Sequence, residues 1–202
     1  MPPQDLIDRR REEILSAAEK VFAERGYHAA NIADIAAELG MGHGTFYRYF
    51  GNKRDIAVHV VDRVVERIAS VVADEDPYAS ATLEEYRAQV VRIGHALFDV
   101  FAQNEHLAQL FFYEATSVDA EITGTVNRAL DVFAGYTAQY LANGVRHGFL
   151  REGLDVETTA GAINGMIFEG ARRLALADDV AAPRERWVQA VTALMFDGIS
   201  VR

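Results

Sequence analysis

Side chains that suit contact with a nucleic acid are concentrated between residues 43 and 53. A histidine, a glycine and a threonine come first, followed by two tyrosines, an arginine and a lysine: His43, Gly44, Thr45, Tyr47, Arg48, Tyr49 and Lys53. Imidazole and hydroxyl groups can reach base edges in a major groove, and glycine lets the backbone approach closely. Tyrosine hydroxyls and cationic groups donate hydrogen bonds to phosphate oxygens. The pattern predicts base contacts from the first three residues and phosphate contacts from the other four.

Patterns typical of enzymes and of metal sites are missing from the sequence. The six histidines are scattered without a His-Glu-x-x-His or similar spacing, and there is no cysteine to serve as nucleophile, thiolate ligand or disulfide partner. There is no Gly-x-Ser-x-Gly motif and no phosphate-binding loop, and the glycines of residues 40–45 depart from the dinucleotide-binding pattern. We therefore predict no enzymatic activity, no metal and no cofactor.

Two short helices joined by a glycine-rich turn are predicted to position the contact residues. Asn31 is a suitable N-cap for the first helix, and from there it can also contact a phosphate at the positive end of the helix dipole. Gly40 ends that helix, and the second begins after Gly42 and has about two turns before Gly51. The first helix has one apolar face, formed by Ile32, Ile35, Ala36 and Leu39. Two such helices form the unit that places a helix in the major groove of DNA.

The flanking sequence predicts the helices that hold this unit. An amphipathic helix precedes it and ends at Gly26, and Asn52 caps a long helix that continues through Ile68. Together, residues 9–53 resemble the DNA-binding domain of the TetR family of transcriptional regulators. The matching positions are residues 22–27, Ile35, Ala36, Gly40, residues 44–50 and Lys53.

The resemblance implies an all-α protein with two domains. A three-helix, helix-turn-helix DNA-binding domain is expected at residues 1–54, and a larger helical ligand-binding and dimerisation domain at residues 55–202. It also implies base contacts from His43, Gly44 and Thr45. The family usually has a serine where this chain has Gly42. Glycine is a tolerated cap, worse by only a few tenths of a kcal/mol, but it lacks the hydroxyl that would contact a phosphate.

The charge distribution is compatible with this interpretation. The net charge of −10 is unusual for a DNA-binding protein, but residues 1–54 carry eight basic and eight acidic residues, and the remainder carries 12 and 22. No Asp or Glu occurs in residues 39–54, and residues 9–11 form a second basic cluster, either an arm near DNA or a solvated helix start. No apolar run is long enough to span a membrane, and the N-terminus lacks the order of a signal peptide. We expect a soluble, cytoplasmic protein with no membrane partner.

Aromatic residues are numerous in the predicted second domain. They lie on four predicted helices, and they either fill an ordinary core or line a cavity for an apolar ligand. Nearby polar residues such as Asn164 could orient a ligand head group or be ordinary polar residues. The predicted ligand pocket consists of Phe98, Phe101, Phe111, Phe112, Glu114, Phe133, Tyr136, Tyr140, Phe168 and Arg172.

The last two predicted helices are candidates for an interface between chains. One contains three glycines, each of which costs about 1 kcal/mol in a helix interior and so suggests close backbone packing. The other has an apolar face. The predicted interface residues are Gly161, Gly165, Trp187, Val191, Leu194 and Met195. The resemblance implies a two-fold interface of four helices, and the alternative is packing within one chain.

These features together predict a ligand-responsive regulator, most simply a repressor. It would bind a near-palindromic double-stranded operator as a homodimer and leave it when a small apolar or amphipathic effector enters the second domain. The alternative is a constitutive DNA-binding regulator or an activator without an effector pocket. A filled second-domain core would favour that alternative.

Overall fold

The computed structural model describes residues 4–103, 106–174 and 181–199, and this part of the chain is helical with no extended strand. The predicted all-α class is confirmed. The helices are α1 (Gln4–Arg25), α2 (Ile32–Glu38), α3 (His43–Phe46), α4 (Lys53–Ala73), α5 (Leu83–Gln103) and α6 (Leu107–Gln109). After α6 come a π-helical turn (Leu110–Glu114), α7 (Ala115–Val118), α8 (Ala120–Arg146), α9 (Val156–Leu174) and α10 (Ala181–Ile199).

Side-chain caps start several helices, among them α2, where the sequence predicts Asn31 as the N-cap. Asn31 Oδ1 accepts a hydrogen bond from the Asp34 N–H, and the Asn31 N–H donates in return to the Asp34 carboxylate, which begins α2. Thr82 and Glu85 form the same reciprocal pair at the start of α5. The sequence predicts that α9 ends near residue 176, which lies outside the described residues.

The chain forms two compact units that differ from a simple division at residue 54. The first comprises residues 1–66 and 106–126, and the second comprises residues 67–105 and 127–202. Residues 106–126 join the N-terminal helices because α6 and the π-helical turn pack on α1. Both α4 and α8 run without interruption from one unit into the other. The predicted boundary at residue 54 therefore falls just inside a continuous helix.

The core of the first unit surrounds the helix-turn-helix. Ile14 and Ile56 are fully buried, as is Ile35 of α2. Gly40 has a φ of 59°, a conformation that costs an L side chain energy, and it ends α2 in a Schellman arrangement. There the Met41 N–H donates to the Ala36 carbonyl at 2.9 Å. This tight turn sets the direction in which α3 leaves α2.

The second unit is built from α5, α9 and α10 with the adjoining parts of α4 and α8. In this unit α10 packs on both α5 and α9. Its core includes Tyr86, Phe98 and Leu141. None of the described helices is long and apolar enough to cross a membrane.

Candidate functional site

The start of α3 presents the predicted base-contacting residues to solvent. Gly42 is the N-cap, in an extended conformation and without a side-chain hydrogen bond. His43 and Gly44 are exposed, and Thr45 is half-buried. A Cβ added to Gly44 would meet nothing within 4 Å, so the backbone is open to approach from outside. The first turn of α3 is therefore free to enter a groove.

Two buried phenylalanines hold α3 against the rest of its unit. Phe46 is fully buried and Phe50 is 1% exposed, with their ring centroids 5.9 Å apart. The N–H groups of Tyr49 and Phe50 both donate to the Phe46 carbonyl, so turns continue the short helix as far as Phe50. The guanidinium of Arg11 lies 4.4 Å from the Phe50 ring centroid and donates to the Tyr49 carbonyl. Such packing supplies the rigidity that a four-residue helix lacks by itself.

The residues predicted to contact phosphate differ in their exposure and in the hydrogen bonds that they already form. Tyr47 is 55% exposed and Arg48 is exposed, with no partner for its guanidinium among the described residues. Tyr49 is half-buried, and Asn31 is exposed while its amide oxygen serves as the cap of α2. Tyr47 touches the Phe46 ring edge to face, with ring centroids 5.6 Å apart. Its exposed side chain and the Arg48 guanidinium are thus placed to reach a phosphate.

Lys53 is engaged inside its own unit. Its ammonium donates to the carbonyls of Tyr27 and Ala30, both at 2.8 Å, and to that of His28 at 3.3 Å. It also lies 4.5 Å from the centroid of the Tyr27 ring. The start of α4 therefore holds the loop between α1 and α2, while the predicted phosphate contact of Lys53 stays a prediction.

A second group of contacts ties residues 106–121 to the same loop. Glu114, at the end of the π-helical turn, accepts a hydrogen bond from the Tyr27 N–H at 2.8 Å and another from Gln109 at 3.2 Å. A ring nitrogen of His28 lies 2.7 Å from the Ser117 carbonyl oxygen. Glu114 was predicted to line the ligand pocket, but its carboxylate is bonded within the DNA-binding unit.

Arg54 extends these contacts to the start of α8. It forms ion pairs with Asp119, at 2.7 Å, and with Glu121. The Ile122 N–H, which donates to the Asp119 carboxylate, and the Arg54 guanidinium both lower the pKa of Asp119. The carboxylate therefore stays charged at neutral pH and can hold the first turn of α8 next to α4.

The second unit contains an apolar cavity between its helices. It has about 610 Å³ of space free of atoms, which includes open solvent, and about 60 Å³ of this can hold the centre of a water-sized molecule. The enclosed space is therefore smaller than the roughly 300–1,000 Å³ of small-molecule sites, and a long ligand requires the surrounding helices to move apart. Its lining is aliphatic and aromatic, with no carboxylate and no cationic side chain among the described residues. The lining residues are Ile68, Val72, Tyr86, Val90, Ile93, Gly94, Leu97, Phe133, Thr137, Tyr140, Ile163, Asn164, Ile167, Phe168 and Met195.

Few polar groups face this cavity. Burial raises the pKa of Tyr140 to about 12, and its hydroxyl donates to the Glu75 carbonyl at 2.9 Å. Burial also raises the pKa of Tyr86, so both phenols stay neutral. Thr137 donates to the Asn164 amide oxygen at 2.8 Å. The cavity thus offers neutral hydrogen-bonding groups in an apolar wall.

The predicted pocket residues are distributed over both units. Phe133, Tyr140 and Phe168 line the cavity, and Phe98 lines a smaller one next to Trp187. Phe111, Phe112 and Glu114 belong to the first unit. Phe101 is buried and Tyr136 half-buried elsewhere in the second unit, and Arg172 forms a two-point ion pair with Glu169. The aromatic set therefore serves the core of both units as well as the cavity.

The predicted interface residues also divide into two groups. Gly161 and Gly165 are exposed, with open space where a Cβ would lie, and Leu194 is 61% exposed. Met195 is buried and lines the large cavity, and Val191 lines the smaller one.

Trp187 explains the third glycine of α9. A Cβ at Gly170 would collide with the indole of Trp187, whose Nε1 donates to the Met166 carbonyl at 3.1 Å. This close approach within the chain accounts for Gly170, whereas the two exposed glycines stay available to another chain. Among the described residues, no group of three or more His, Asp or Glu side chains could hold a metal ion.

Comparison with known proteins agrees with this architecture. The sequence profile of the bacterial regulatory proteins of the tetR family matches residues 14–60. The chain is 31% identical to the fatty acid metabolism regulator protein of Bacillus subtilis (strain 168) over 161 residues, which are 78% of this chain and 79% of that protein. This chain belongs to the TetR family. It is a transcriptional regulator with a helix-turn-helix DNA-binding domain, as the sequence predicts.

Two further similarities to transcriptional regulators bear on function. The crystal structure of the transcriptional regulator FadR from Bacillus subtilis in complex with stearoyl-CoA has a TM-score of 0.74 and 26% identity. The match covers 93% of this chain and 98% of that one. The HTH-type transcriptional activator FasR of Mycolicibacterium smegmatis is 28% identical over 124 residues, 61% of this chain and 55% of that protein.

Sequence reasoning missed much of the lining of the cavity in this TetR-family protein. The predicted pocket consists mainly of aromatic residues, but much of the cavity wall comes from α5 and α4. Tyr86, Val90, Ile93 and Leu97 have the spacing of one helical face, a signal that was present in the sequence. The role of Glu114 had no local signal, because its partner Tyr27 is 87 positions away in the chain.

Proposed function

We propose that this TetR-family regulator is a repressor that binds a near-palindromic operator as a homodimer and is released by a long apolar or amphipathic effector of the fatty acyl type. The observation that carries the proposal is the apolar cavity in the second unit, whose wall includes residues of α4 and α8, two helices that start in the DNA-binding unit. The relative named as a fatty acid metabolism regulator and the FadR complex with stearoyl-CoA support this effector class.

The proposed mechanism is linkage through these two continuous helices. Ile68 and Val72 of α4 line the cavity, while Lys53 at the start of α4 holds the loop before α2. Phe133 and Tyr140 of α8 line it too, while the start of α8 is bonded to Arg54. An effector that displaces either helix changes the position of α3. It must prefer the state that does not bind DNA, and a coupling of about 1–3 kcal/mol gives roughly 5- to 150-fold loss of affinity.

The decisive experiment titrates the protein onto DNA from its own upstream region at fixed salt, with and without a long-chain acyl-CoA. The expected result is one specific complex whose affinity falls by about tenfold or more when the acyl-CoA is added. Tight sequence-specific binding that no acyl compound changes would support a constitutive regulator instead. The absence of any specific binding would refute the proposal that the helix-turn-helix recognises an operator in this upstream DNA.

Base and phosphate contacts are separable by their different effects on specificity and salt dependence. We expect His43→Ala to relax discrimination at one operator position by about 1–3 kcal/mol, because an imidazole contact with a base edge is lost. Arg48→Ala should weaken binding to all sequences alike and reduce the slope of log K against log salt by about 1. The measurement is fluorescence anisotropy on an operator and its single-position variants at several salt concentrations. Equal losses on every sequence for His43→Ala would remove it from the base-contacting set.

The proposed dimer interface involves the exposed parts of α9 and α10. Leu194→Glu is expected to weaken dimerisation by about two orders of magnitude, because an unpaired charge buried in an interface costs roughly 3 kcal/mol or more. Operator affinity should fall with it, since each half-site then binds separately. Sedimentation velocity measures the first effect and a mobility shift the second.

Val132→Glu is the matched control, because Val132 is an exposed apolar residue of α8, 55% accessible, outside the proposed interface. It should leave the dimer intact. If the chain sediments as a dimer with Leu194→Glu but as a monomer with Val132→Glu, the interface is on α8 rather than on α10.

Activation is the second candidate, favoured by the similarity to the activator FasR. Both candidates share the same DNA contacts and cavity. A promoter–reporter fusion in cells with and without the gene decides between them. Higher expression without the gene indicates a repressor, and lower expression indicates an activator.

A further inference from the structure

Asn164 leaves a polar group unsatisfied in the wall of the large cavity. The residue is 8% exposed, and its amide oxygen lies 2.8 Å from the Thr137 hydroxyl, which also lies 3.2 Å from the Phe133 carbonyl oxygen. Its amide nitrogen is buried and has no hydrogen-bond partner. Burying an N–H group without a partner is unfavourable, so native structures seldom retain one without a reason.

A second neutral donor lines the same cavity. Tyr86 is 2% exposed, and no hydrogen-bond partner for its hydroxyl is found among the described residues. By contrast, the Tyr140 hydroxyl is already used by the Glu75 carbonyl. Asn164 and Tyr86 are therefore the two groups in this wall that can still donate a hydrogen bond.

The charge of the wall restricts what these donors can receive. The described lining has no lysine, arginine or histidine, so a buried carboxylate would have no cation to pair with. Burying an ion without a partner is far more costly than burying a neutral carbonyl that accepts one or two hydrogen bonds. The apolar remainder of the wall suits an aliphatic chain.

We propose that Asn164, assisted by Tyr86, recognises a neutral carbonyl oxygen on an aliphatic ligand, so that the cavity selects an ester or thioester over the free acid or the hydrocarbon. This inference rests on the proposed function, because it names the chemistry by which the effector cavity chooses its ligand. The aliphatic chain supplies affinity through burial, and the amide donor supplies selectivity. Without an acceptor on the ligand, Asn164 stays unsatisfied in the complex.

The test compares ligands of one chain length that differ only at the oxygen function: methyl decanoate, decanoyl-CoA, decanoate and decane. Trp187, the only tryptophan of the chain, reports binding by fluorescence, since it lines the smaller cavity, which shares Val90, Gly94, Ile167 and Met195 with the large one. The measured quantity is the ratio of the dissociation constants for decane and the ester. Comparing this ratio between variants cancels the different solubilities of the two probes.

Asn164→Leu removes the donor and keeps a side chain of similar size. We expect the ratio to fall by about five- to tenfold, the usual effect of one hydrogen bond. Ile163→Val is the matched control on the same helix and in the same wall, and it should weaken both probes alike. Tyr86→Phe is the second variant, with a smaller decrease expected, and it keeps the test decisive if Asn164→Leu does not fold.

The remaining arms separate the possible outcomes. If Asn164→Leu weakens the binding of decanoyl-CoA, relative to decane, as much as that of the ester, the carbonyl is that of a thioester. If it weakens the binding of the ester alone, the ligand is a carbonyl compound without the CoA head group. Decanoate binding as tightly as the ester would overturn the inference. A ratio that stays unchanged in both Asn164→Leu and Tyr86→Phe would also overturn the inference. If acyl-CoA still released the protein from the operator in that case, the proposed function would stand without the inference. Failure of every probe to bind the native protein would overturn the effector cavity itself.

Discussion

Phe46→Ala is expected to abolish specific operator binding by destabilising the DNA-binding unit by about 3–5 kcal/mol. Phe46 is fully buried, and its carbonyl and ring hold the end of α3 against Phe50. Replacing a buried phenylalanine by alanine loses its apolar contacts and leaves a cavity, with a cost in that range. Because a domain of this size has only about 5–15 kcal/mol of stability, much of it would be lost. Thermal unfolding by circular dichroism and a mobility shift on the operator measure the two effects.

Tyr47→Ala is the matched control for this experiment. Tyr47 is the next residue, but it is 55% exposed, so its removal should change stability by no more than about 0.5 kcal/mol. Operator affinity should decrease modestly and to the same extent on every sequence, as expected for a phosphate contact. A stable Phe46→Ala protein that still binds its operator would show that α3 does not depend on this packing. The proposal that α3 is the recognition surface would then be wrong.

Lys53→Met is expected to destabilise the DNA-binding unit by about 1–2 kcal/mol even without DNA. Its ammonium is bonded to three carbonyls of the loop between α1 and α2, and hydrogen bonds to a charged group are individually stronger than neutral ones. Methionine keeps most of the length of the side chain and removes the ammonium, with its hydrogen bonds and its contact with the Tyr27 ring. The measurement is the midpoint of urea unfolding, with operator affinity recorded on the folded variant.

The same variant tests the two roles assigned to Lys53. If it contacts phosphate alone, stability stays unchanged and only the affinity and its salt slope decrease. If it holds the loop, stability decreases as well. Lys20→Met, at the only other lysine of the chain, is the control. Lys20 forms a surface ion pair with Glu38, and such pairs contribute at most about 1 kcal/mol.

Local features of the fold were predictable because their causes lie within a few residues. The cap formed by Asn31 and Asp34 spans three positions, and the chain reversal at Gly40 depends on one glycine. Phe46 and Phe50 are four apart, so a helical turn places them on one face, and both are buried. Short-range hydrogen bonds and helical periodicity determine these features directly.

Long-range partners were not predictable in this way. An apolar face indicates that a residue is buried but not which helix covers it. Phe111 and Phe133 are both buried aromatic residues of helical segments, yet Phe111 packs in the DNA-binding unit and Phe133 lines the cavity. Glu114 similarly contacts the Tyr27 backbone instead of the predicted pocket. These placements depend on how residues 106–126 pack onto α1, which no single segment encodes.

The sequence by itself determined the family, the helical class and the exposed first turn of α3, because each rests on residue type and on spacing within one or two helices. Only the tertiary structure decided that residues 106–126 belong with the DNA-binding unit, that Lys53 holds the loop before α2, and that Asn164 keeps an unsatisfied N–H in an apolar wall. These properties arise between segments distant in the chain. The contacts that stabilise or destabilise them form only when the helices pack. Which groups then meet depends on the fold as a whole.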